Sequence, residues 1–466
     1  MRKCIMTYSF ILMFVHLGAQ SDSLTLSANQ FLQIVRMYHP VIQLSDLNIE
    51  KTKEDIRIAK GAFNPILSNY IANKKFDNST YYDYINPNIS VPTWFGGEIV
   101  AGVENLSGVR FDPSETVGQS SYIGVGVPLL KNLIIDKRRA FLKQSKLFKE
   151  MASTEKYIII NNILLDAITQ YWEWANAYQV YEILNKNYEN SKIRFDFIKK
   201  TVINGERPAI DTIEALLQYQ NFEFQKNEYW QKFQNEGFEL STFLWKENQV
   251  AYQLPANVLP NKDDLKGDNL NNSNFDLEEL LQSANNNHPE LMLYRQKSGV
   301  LSIEKRLKFQ DLLPKLDFKY NHLSKGYNFL KSDGFLFQNN FQYGLKFEMP
   351  LFFGQARGEY NKTKLKILEN NLYQTQKSQV INQKIRKYFN DYVVLKSQLS
   401  LQNNMLENFK YLLKAEETLF KNGESSLFLI NSRESKVFET ERKIAELKTK
   451  YFITIYGMKW SAGMLN

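Results

Sequence analysis

Three segments of the chain alternate between apolar and polar residues. Phe341, Tyr343, Leu345, Phe347 and Met349 interleave with Asn340, Gln342, Gly344, Lys346 and Glu348. Leu316, Phe318 and Tyr320 interleave with Asp317, Lys319 and Asn321. Ile123, Val125, Val127 and Leu129 interleave with Tyr122, Gly124, Gly126 and Pro128. A period of two gives each strand one apolar and one polar face. Ile66 to Phe76 is a less regular fourth strand. Elsewhere the period is seven. Ile42, Ile49, Ile56 and Phe63 form one row, with the small residues Ser45, Thr52 and Ala59 beside it. Such a row predicts a coiled-coil seam that another helix approaches closely. A later row, Leu291, Ser298, Lys305 and Leu312, is much weaker.

Two further elements follow from what is missing. No proline lies between 129 and 207 or after 350, and no glycine between 127 and 204 or between 359 and 422. Both residues interrupt helices, so helices are predicted over roughly 136–203 and 356–421. Each would be about 100 Å long at 1.5 Å per residue. No globular core is that wide, so the helices must pair along their length. Asn204-Gly205 and Asn422-Gly423 supply left-handed stops. A second helix follows each stop, over about 211–247 and 427–464, with Asp211 to Glu214 as a capping box. The result is two helical hairpins with matched tips. Shorter helices open on Ser27 with Gln30 and Asp276 with Glu279, stapled by Leu26 with Phe31 and Phe275 with Leu280. Pro40 and Pro289 start the next helices.

These elements recur in one order, so the chain is a duplication. Residues 26 to 65 correspond to 275 to 314 at constant spacing, with His39-Pro40 answering His288-Pro289 and Pro65 answering Pro314. Val127-Pro128-Leu129 answers Met349-Pro350-Leu351, and Asn204-Gly205-Glu206 answers Asn422-Gly423-Glu424. The first copy carries an insertion between Pro65 and Pro128, expected as a large outer loop over 77–119. The predicted organisation is a leader at 1–20, repeat 1 at 21–248, a polar linker at 249–274 and repeat 2 at 275–466. The tips fall near 204–210 and 422–427.

Composition narrows the class. Arg2, Lys3, the apolar run Ile5–Leu17 and Gly18-Ala19-Gln20 read as a cleaved secretion signal, too short to span a bilayer. Cys4 is the only cysteine and precedes the apolar core, so neither a lipid anchor nor a thiolate site is expected. A net charge of +8 without a basic block does not point to nucleic acid. His39 and His288 flank helix-starting prolines, and His322 stands alone, so no metal site is expected. No nucleotide, metalloprotease or hydrolase motif occurs, and neither an enzyme nor a cofactor is expected. Tyr171, Trp172, Trp174 and Tyr178 read as helix core rather than a ligand platform.

The strands admit two readings: half of a soluble sheet, or a wall between lipid and water. Export, strand length and the lack of any covering element favour the wall. Four strands cannot close a barrel, and an open edge in lipid is costly. Three copies would supply twelve strands. Two rivals are a periplasmic or surface coiled-coil scaffold without a pore, and a secreted hydrolase.

The paired openings Leu26–Pro40 and Phe275–Pro289, the strand exits Val125–Leu130 and Lys346–Phe352, and the tips Asn204–Glu214 and Asn422–Arg433 resemble the TolC-like outer membrane efflux proteins over nearly the whole mature length. The resemblance implies a mainly α fold with a membrane β-barrel part. A homotrimer would share a twelve-stranded β-barrel in the outer membrane of a Gram-negative bacterium, continued by a long α-helical barrel in the periplasm. The linker 249–274 would lie in an equatorial region. It implies a passive exit duct for efflux or type I secretion, docked by a periplasmic adaptor (membrane fusion) protein and driven by an inner-membrane pump that chooses the cargo. Gly205, Glu206, Arg207, Pro208, Gly423, Glu424, Ser425, Ser426 and Leu427 would meet the adaptor. Asp211 fits a carboxylate that narrows the periplasmic end, whereas Leu429 and Ser432 stand where others could be. A ring of Asp211 would favour cations. Read alone, Asp211 is a helix cap, and apolar closure around Leu429 is a third reading. Within the insertion, Trp94 and Phe95 suit a lipid interface. The segment forms either a hairpin or a lid over the barrel mouth.

Overall fold

The two stretches without proline or glycine are single helices, Lys137–Ile203 and Gly354–Lys421, of 67 and 68 residues. The computed structural model describes residues 24–109, 112, 118–266, 275–327 and 336–465. The expected leader lies outside these residues, as do 267–274 of the linker and 110–111 and 113–117 of the insertion. In chain order the elements are β1 (Thr25–Leu26), α1 (Ala28–Tyr38), α2 (Pro40–Gly61), β2 (Ile66–Phe76), β3 (Ser79–Pro92), β4 (Glu98–Ser107), β5 (Gln119–Pro128), α3 (Lys137–Ile203) and α4 (Ala209–Ser241). There follow β6 (Trp245–Lys246), a 3-10 turn (Glu247–Gln249), β7 (Val250–Ala251), β8 (Leu259–Pro260), α5 (Lys262–Lys266), α6 (Leu277–Asn287) and α7 (Pro289–Gln310). The chain ends with β9 (Lys315–Lys325), β10 (Phe341–Glu348), α8 (Gly354–Lys421) and α9 (Leu427–Ser461).

Two compact units divide these elements. One takes the described residues of Pro40–Leu165, Phe275–Asn390 and Gly457–Asn466, and the other those of Met1–His39, Asp166–Asn274 and Asp391–Tyr456. The first is the sheet unit. Its sheet has six strands in the order β10-β9-β5-β4-β3-β2, all neighbours antiparallel. This corrects the expectation of four strands and of an outer loop over 77–119. Ser79–Pro92 and Glu98–Ser107 are strands built into the sheet. The alternation hid them, because Pro87 interrupts β3 and Pro92 ends it, and prolines usually mark where a strand stops. The β3–β4 ladder does break opposite Asn86 and Pro87, between the pairs Ile85–Asn105 and Asn88–Gly102.

Four helical segments of the sheet unit pair side by side. Asp46 on α2 is ion-paired with Lys156 on α3. The Gln296 amide of α7 donates to Thr154 of α3 at 3.0 Å. On its other side, α7 meets α8, where the Asn370 amide donates to the Tyr294 carbonyl at 3.0 Å and to Ser298 Oγ at 2.8 Å. That polar seam explains the weak row Leu291–Ser298–Lys305. Its α2 counterpart buries Ile42, Ser45 and Ala59. Helix α7 has helices on two sides, and its contact with α8 includes an ion pair, Lys366 with Glu304 at 3.0 Å, beside the hydrogen bonds of Asn370.

In the second unit α3, α4, α8 and α9 share a layered core. One cluster is Val180, Leu184, Phe222, Phe438 and Ala445, and a second is Ile198, Ala215, Phe420, Leu427 and Ile430. Tyr171, Trp172, Trp174 and Tyr178 are buried. Trp172 stacks on Phe452 with centroids 4.1 Å apart, and Trp174 on Phe233 at 5.7 Å. The predicted core reading of these aromatics holds. The linker is tied to the chain's opening: β1 pairs with β8 in parallel. Asp264 accepts from the Ala28 N–H at 2.9 Å, at the first turn of α1, and from the Tyr171 hydroxyl at 2.8 Å. Burial and that carboxylate push the Tyr171 phenol well above the usual range.

Candidate functional site

Two regions hold the features that the sequence singles out: the faces of the sheet and the helix-hairpin tips. On the sheet, cross-strand partners share a face. Phe341, Tyr343, Leu345 and Phe347 of β10 pair with His322, Tyr320, Phe318 and Leu316 of β9. Val125 and Ile123 of β5 continue that face, facing Tyr320 and His322 on one side and Ile99 and Ala101 on the other. Leu345 remains 61% exposed, and none of the described residues covers it. The opposite face holds Gln342, Lys346 and Glu348 against Asn321, Asp317 and Lys315. The Lys315 ammonium lies 3.2 Å from Asp317 and 3.4 Å from Glu348. Among the described residues no strand pairs with the outer edge of β2 or of β10. No described helix is long and apolar enough to cross a membrane.

The two tips close in the same way. At the end of α3 the Gly205 N–H donates to the Val202 carbonyl at 3.0 Å and the Glu206 N–H to Thr201 at 3.0 Å. At the end of α8 Gly423 donates to Phe420 at 3.1 Å and Glu424 to Leu419 at 2.9 Å. This is the paired-bond cap in which the turning residue adopts a left-handed backbone, with φ of 75° at Gly205 and 79° at Gly423. Gly205, Glu206, Pro208, Gly423, Glu424 and Ser426 are exposed, while Arg207 and Ser425 are half-buried. Leu427 is 1% exposed inside the second core cluster. It is therefore corrected from a docking residue to an anchor of its own tip, because the first turn of α9 points it inward against Ile198 and Ile430.

The side chains at the tips are tied across from one hairpin to the other. The Arg207 guanidinium stacks 3.7 Å from the Phe420 ring centroid and donates to the Phe420 carbonyl at 3.4 Å. It also meets Asp211 at 3.3 Å. In the second hairpin Ser425 Oγ donates to Glu416, whose carboxylate lies 3.7 Å from Arg433. Deeper in the unit, Arg194 grips Glu434 with two hydrogen bonds of 2.7 and 3.0 Å, joining α3 to α9. Sequence reading missed Phe420, Glu416 and Glu434, which stand inside long helices among many similar residues and carry no local signal.

The expected capping box at Asp211 is absent. Helix α4 starts at Ala209 with Pro208 before it, at φ −66°, and no side chain caps it. Proline sets the helical φ two residues earlier than expected, which leaves Asp211 within the first turn, facing Arg207. Its carboxylate is thus half-buried and neutralised within the chain. Burial, followed by the nearby Asp211 charge, raises the pKa of Glu214. Leu429 and Ser432 are exposed on α9. His288 is the N-cap of α7, its ring accepting from the Glu290 N–H at 3.2 Å.

No family model matches the sequence, and no curated protein matches it. Solved structures do match over nearly the whole length. CusC, described for its transmembrane channel formation, gives a TM-score of 0.65 at 11% identity over 98% of both chains. The Campylobacter jejuni CmeC outer membrane channel gives 0.62 at 14% identity, over 94% of this chain and 85% of that one. The Vibrio cholerae outer membrane protein VceC gives 0.63 at 10% identity, over 94% and 96%. A likeness that spans both repeats, the sheet and all four long helices leaves one architecture: the chain has the TolC-like fold of the outer-membrane channels.

Proposed function

We propose that this protein is the outer-membrane exit duct of a tripartite efflux or type I secretion system. Three copies close a common wall, and the duct passes cargo passively. A periplasmic adaptor docks on the exposed tip residues Gly205, Glu206, Pro208, Gly423, Glu424 and Ser426, and an inner-membrane pump supplies the energy. The observation that carries this reading is the sheet. One face is apolar, with Tyr343, Leu345 and Phe347 exposed on β10, the other is polar, and both edges lack a partner among the described residues. Lipid suits the first face, water the second, and only further copies can satisfy the edges. The fold of the channels named above supports the same assignment. At the periplasmic end, the ring formed by three chains is an Arg207–Asp211 ring carrying no net charge, with Leu429 beside it as the apolar element. A scaffold without a pore is disfavoured because it has no use for strands of two opposite faces.

Membrane fractionation followed by planar-bilayer recording tests the proposal. The expected result is an outer-membrane protein that runs as a heat-sensitive trimer and conducts ions. A water-soluble monomer that leaves bilayers unaltered rejects it.

A further inference from the structure

The geometry points to β3 and β4 as membrane-crossing strands, so that each chain places six strands in the barrel wall and three chains close it with eighteen. This rests on the duct reading above and goes beyond it, since the repeat pattern alone supplies only four strands per chain.

Length comes first. β3 has 14 residues and β4 has 10, against 11 for β2 and 10 for β5. A tilted strand crosses a bilayer in about 9–11 residues. Position comes next. The turn between β3 and β4 lies at the helix-proximal end of the sheet, where Arg139 of α3 holds it. The Arg139 guanidinium donates to the Phe95 carbonyl at 3.1 Å and to the carbonyls of Asn132 and Leu133, and it pairs with Asp136. Gly96 makes room for it: its φ is 99°, and a Cβ there would sit 2.5 Å from the guanidinium. A lid over the outer mouth would keep its hairpin at the other end. Trp94, 82% exposed, then stands at the inner interface, where amphipathic rings settle.

Over the helix-proximal half of the inserted strands the apolar face of the sheet continues, and towards the other end Asp83 and Asn105 take its place. On the apolar side Ile89 and Val91 pair with Ala101 and Ile99, which pair in turn with Ile123 and Val125 of β5. On the polar side the Tyr84 hydroxyl donates to Glu104 at 2.9 Å, the Asn86 amide to Glu104 at 3.1 Å, and the Tyr122 hydroxyl to Asn86 at 3.1 Å. Ser68 of β2 joins through Asn88 at 2.8 Å. Tyr122 lies flat against Gly102, where a Cβ would be 2.6 Å from its hydroxyl. One polar network thus binds β2 to β5 across both inserted strands, on the face that meets water. Barrel diameter grows roughly linearly with strand number, so eighteen strands make a wall about half as wide again as twelve. Barrels of 16–18 strands leave an open aqueous channel, so this part of the duct passes bulkier solutes.

Adjacent positions on β3 give opposite predictions. In the full chain carrying Cys4→Ser, Ile89→Cys and Ser90→Cys are each labelled with an environment-sensitive fluorophore and the trimer is placed in liposomes. Val125→Cys, on a strand already legible in the sequence, is the control. The label at Ile89 is expected to be quenched by nitroxide lipid and that at Ser90 by aqueous iodide. Electron cryo-microscopy of the unmodified trimer should count eighteen strands. Twelve strands, or a label at Ile89 reached only from water while that at Val125 is reached from lipid, overturns the inference and leaves the duct intact. Failure of lipid to reach even Val125 overturns both.

Discussion

His288 shows how one buried side chain couples stability to pH. Its ring accepts the Glu290 N–H at the start of α7, and Gly463, at φ 71°, lies so close that a Cβ there would sit 3.2 Å from the ring. Burial lowers its pKa below 6.5, Lys377 and Lys384 act in the same direction, and Glu290 and a backbone hydrogen bond to Ser461 oppose them. The unfolded chain therefore takes up a proton near pH 6.5 that the folded chain declines. The contribution is present above that pH and lost as pH falls through the lowered value. Protonation also removes the cap acceptor. Denaturation midpoints in detergent should fall between pH 7 and 5, and His288→Asn, which keeps an acceptor but does not titrate, should flatten the slope. An unchanged slope refutes the link. At this scale the sequence was partly legible. Pro289 marked the start of α7, although the cap that His288 makes there was not read from the sequence. Asp211 announced a cap, but Pro208 started the helix first and Arg207 took the carboxylate. The partner of a charge depends on what a distant segment brings near, as Phe420 does for Arg207.

The long elements were legible because their signals are cumulative. Sixty residues without proline or glycine have few alternatives to helix, and the tips Asn204-Gly205 and Asn422-Gly423 mark both ends. The β3–β4 hairpin was not, because Pro87 between Asn86 and Asn88 erases the alternation, and register with β2 and β5 substitutes for it. The tips yield a test at this scale. Nothing lies within 4 Å of where a Cβ on Gly423 would be, so Gly423→Ala adds no clash. It does force a residue with a side chain into the left-handed region, at a cost of about 1–2 kcal/mol. The second hairpin should lose roughly that much local stability, read as faster amide exchange at Glu424 and Ser425 with exchange at Val437 unchanged. Equal exchange in both proteins would mean that the tip relaxes to another turn.

On the proposed duct reading, other copies cover the apolar surface that a single copy leaves open. Helix α4 buries Ala215, Phe222, Phe233 and Leu240 against its own chain. Leu217 and Phe224 stand two residues beyond Ala215 and Phe222, and Phe238 two before Leu240; with Ile210, seven before Leu217, they form a second row, Ile210, Leu217, Phe224 and Phe238, exposed by 69, 61, 70 and 54%. Two residues turn a helix through about 200°, so the rows lie on opposite faces. The outward row has the seven-residue spacing of a coiled-coil seam, with Gln231 at the step between Phe224 and Phe238, and the described residues do not provide its other half. The described edges of the sheet are unpaired as well, and the closed ring of copies proposed above would meet both demands. Each large side chain in the row then contributes about 1.5–3 kcal/mol by leaving water, in every copy. Phe224→Asp should therefore abolish the heat-sensitive trimer on gels. The helix content by circular dichroism should persist, because Phe222 and Phe233 still pack on the inner face. Should the substituted chain form trimers that melt at the parent temperature, the outward row of α4 is a lining and not a seam, and the contact between copies must be sought on α8, where Leu365, Leu372 and Leu401 are also exposed.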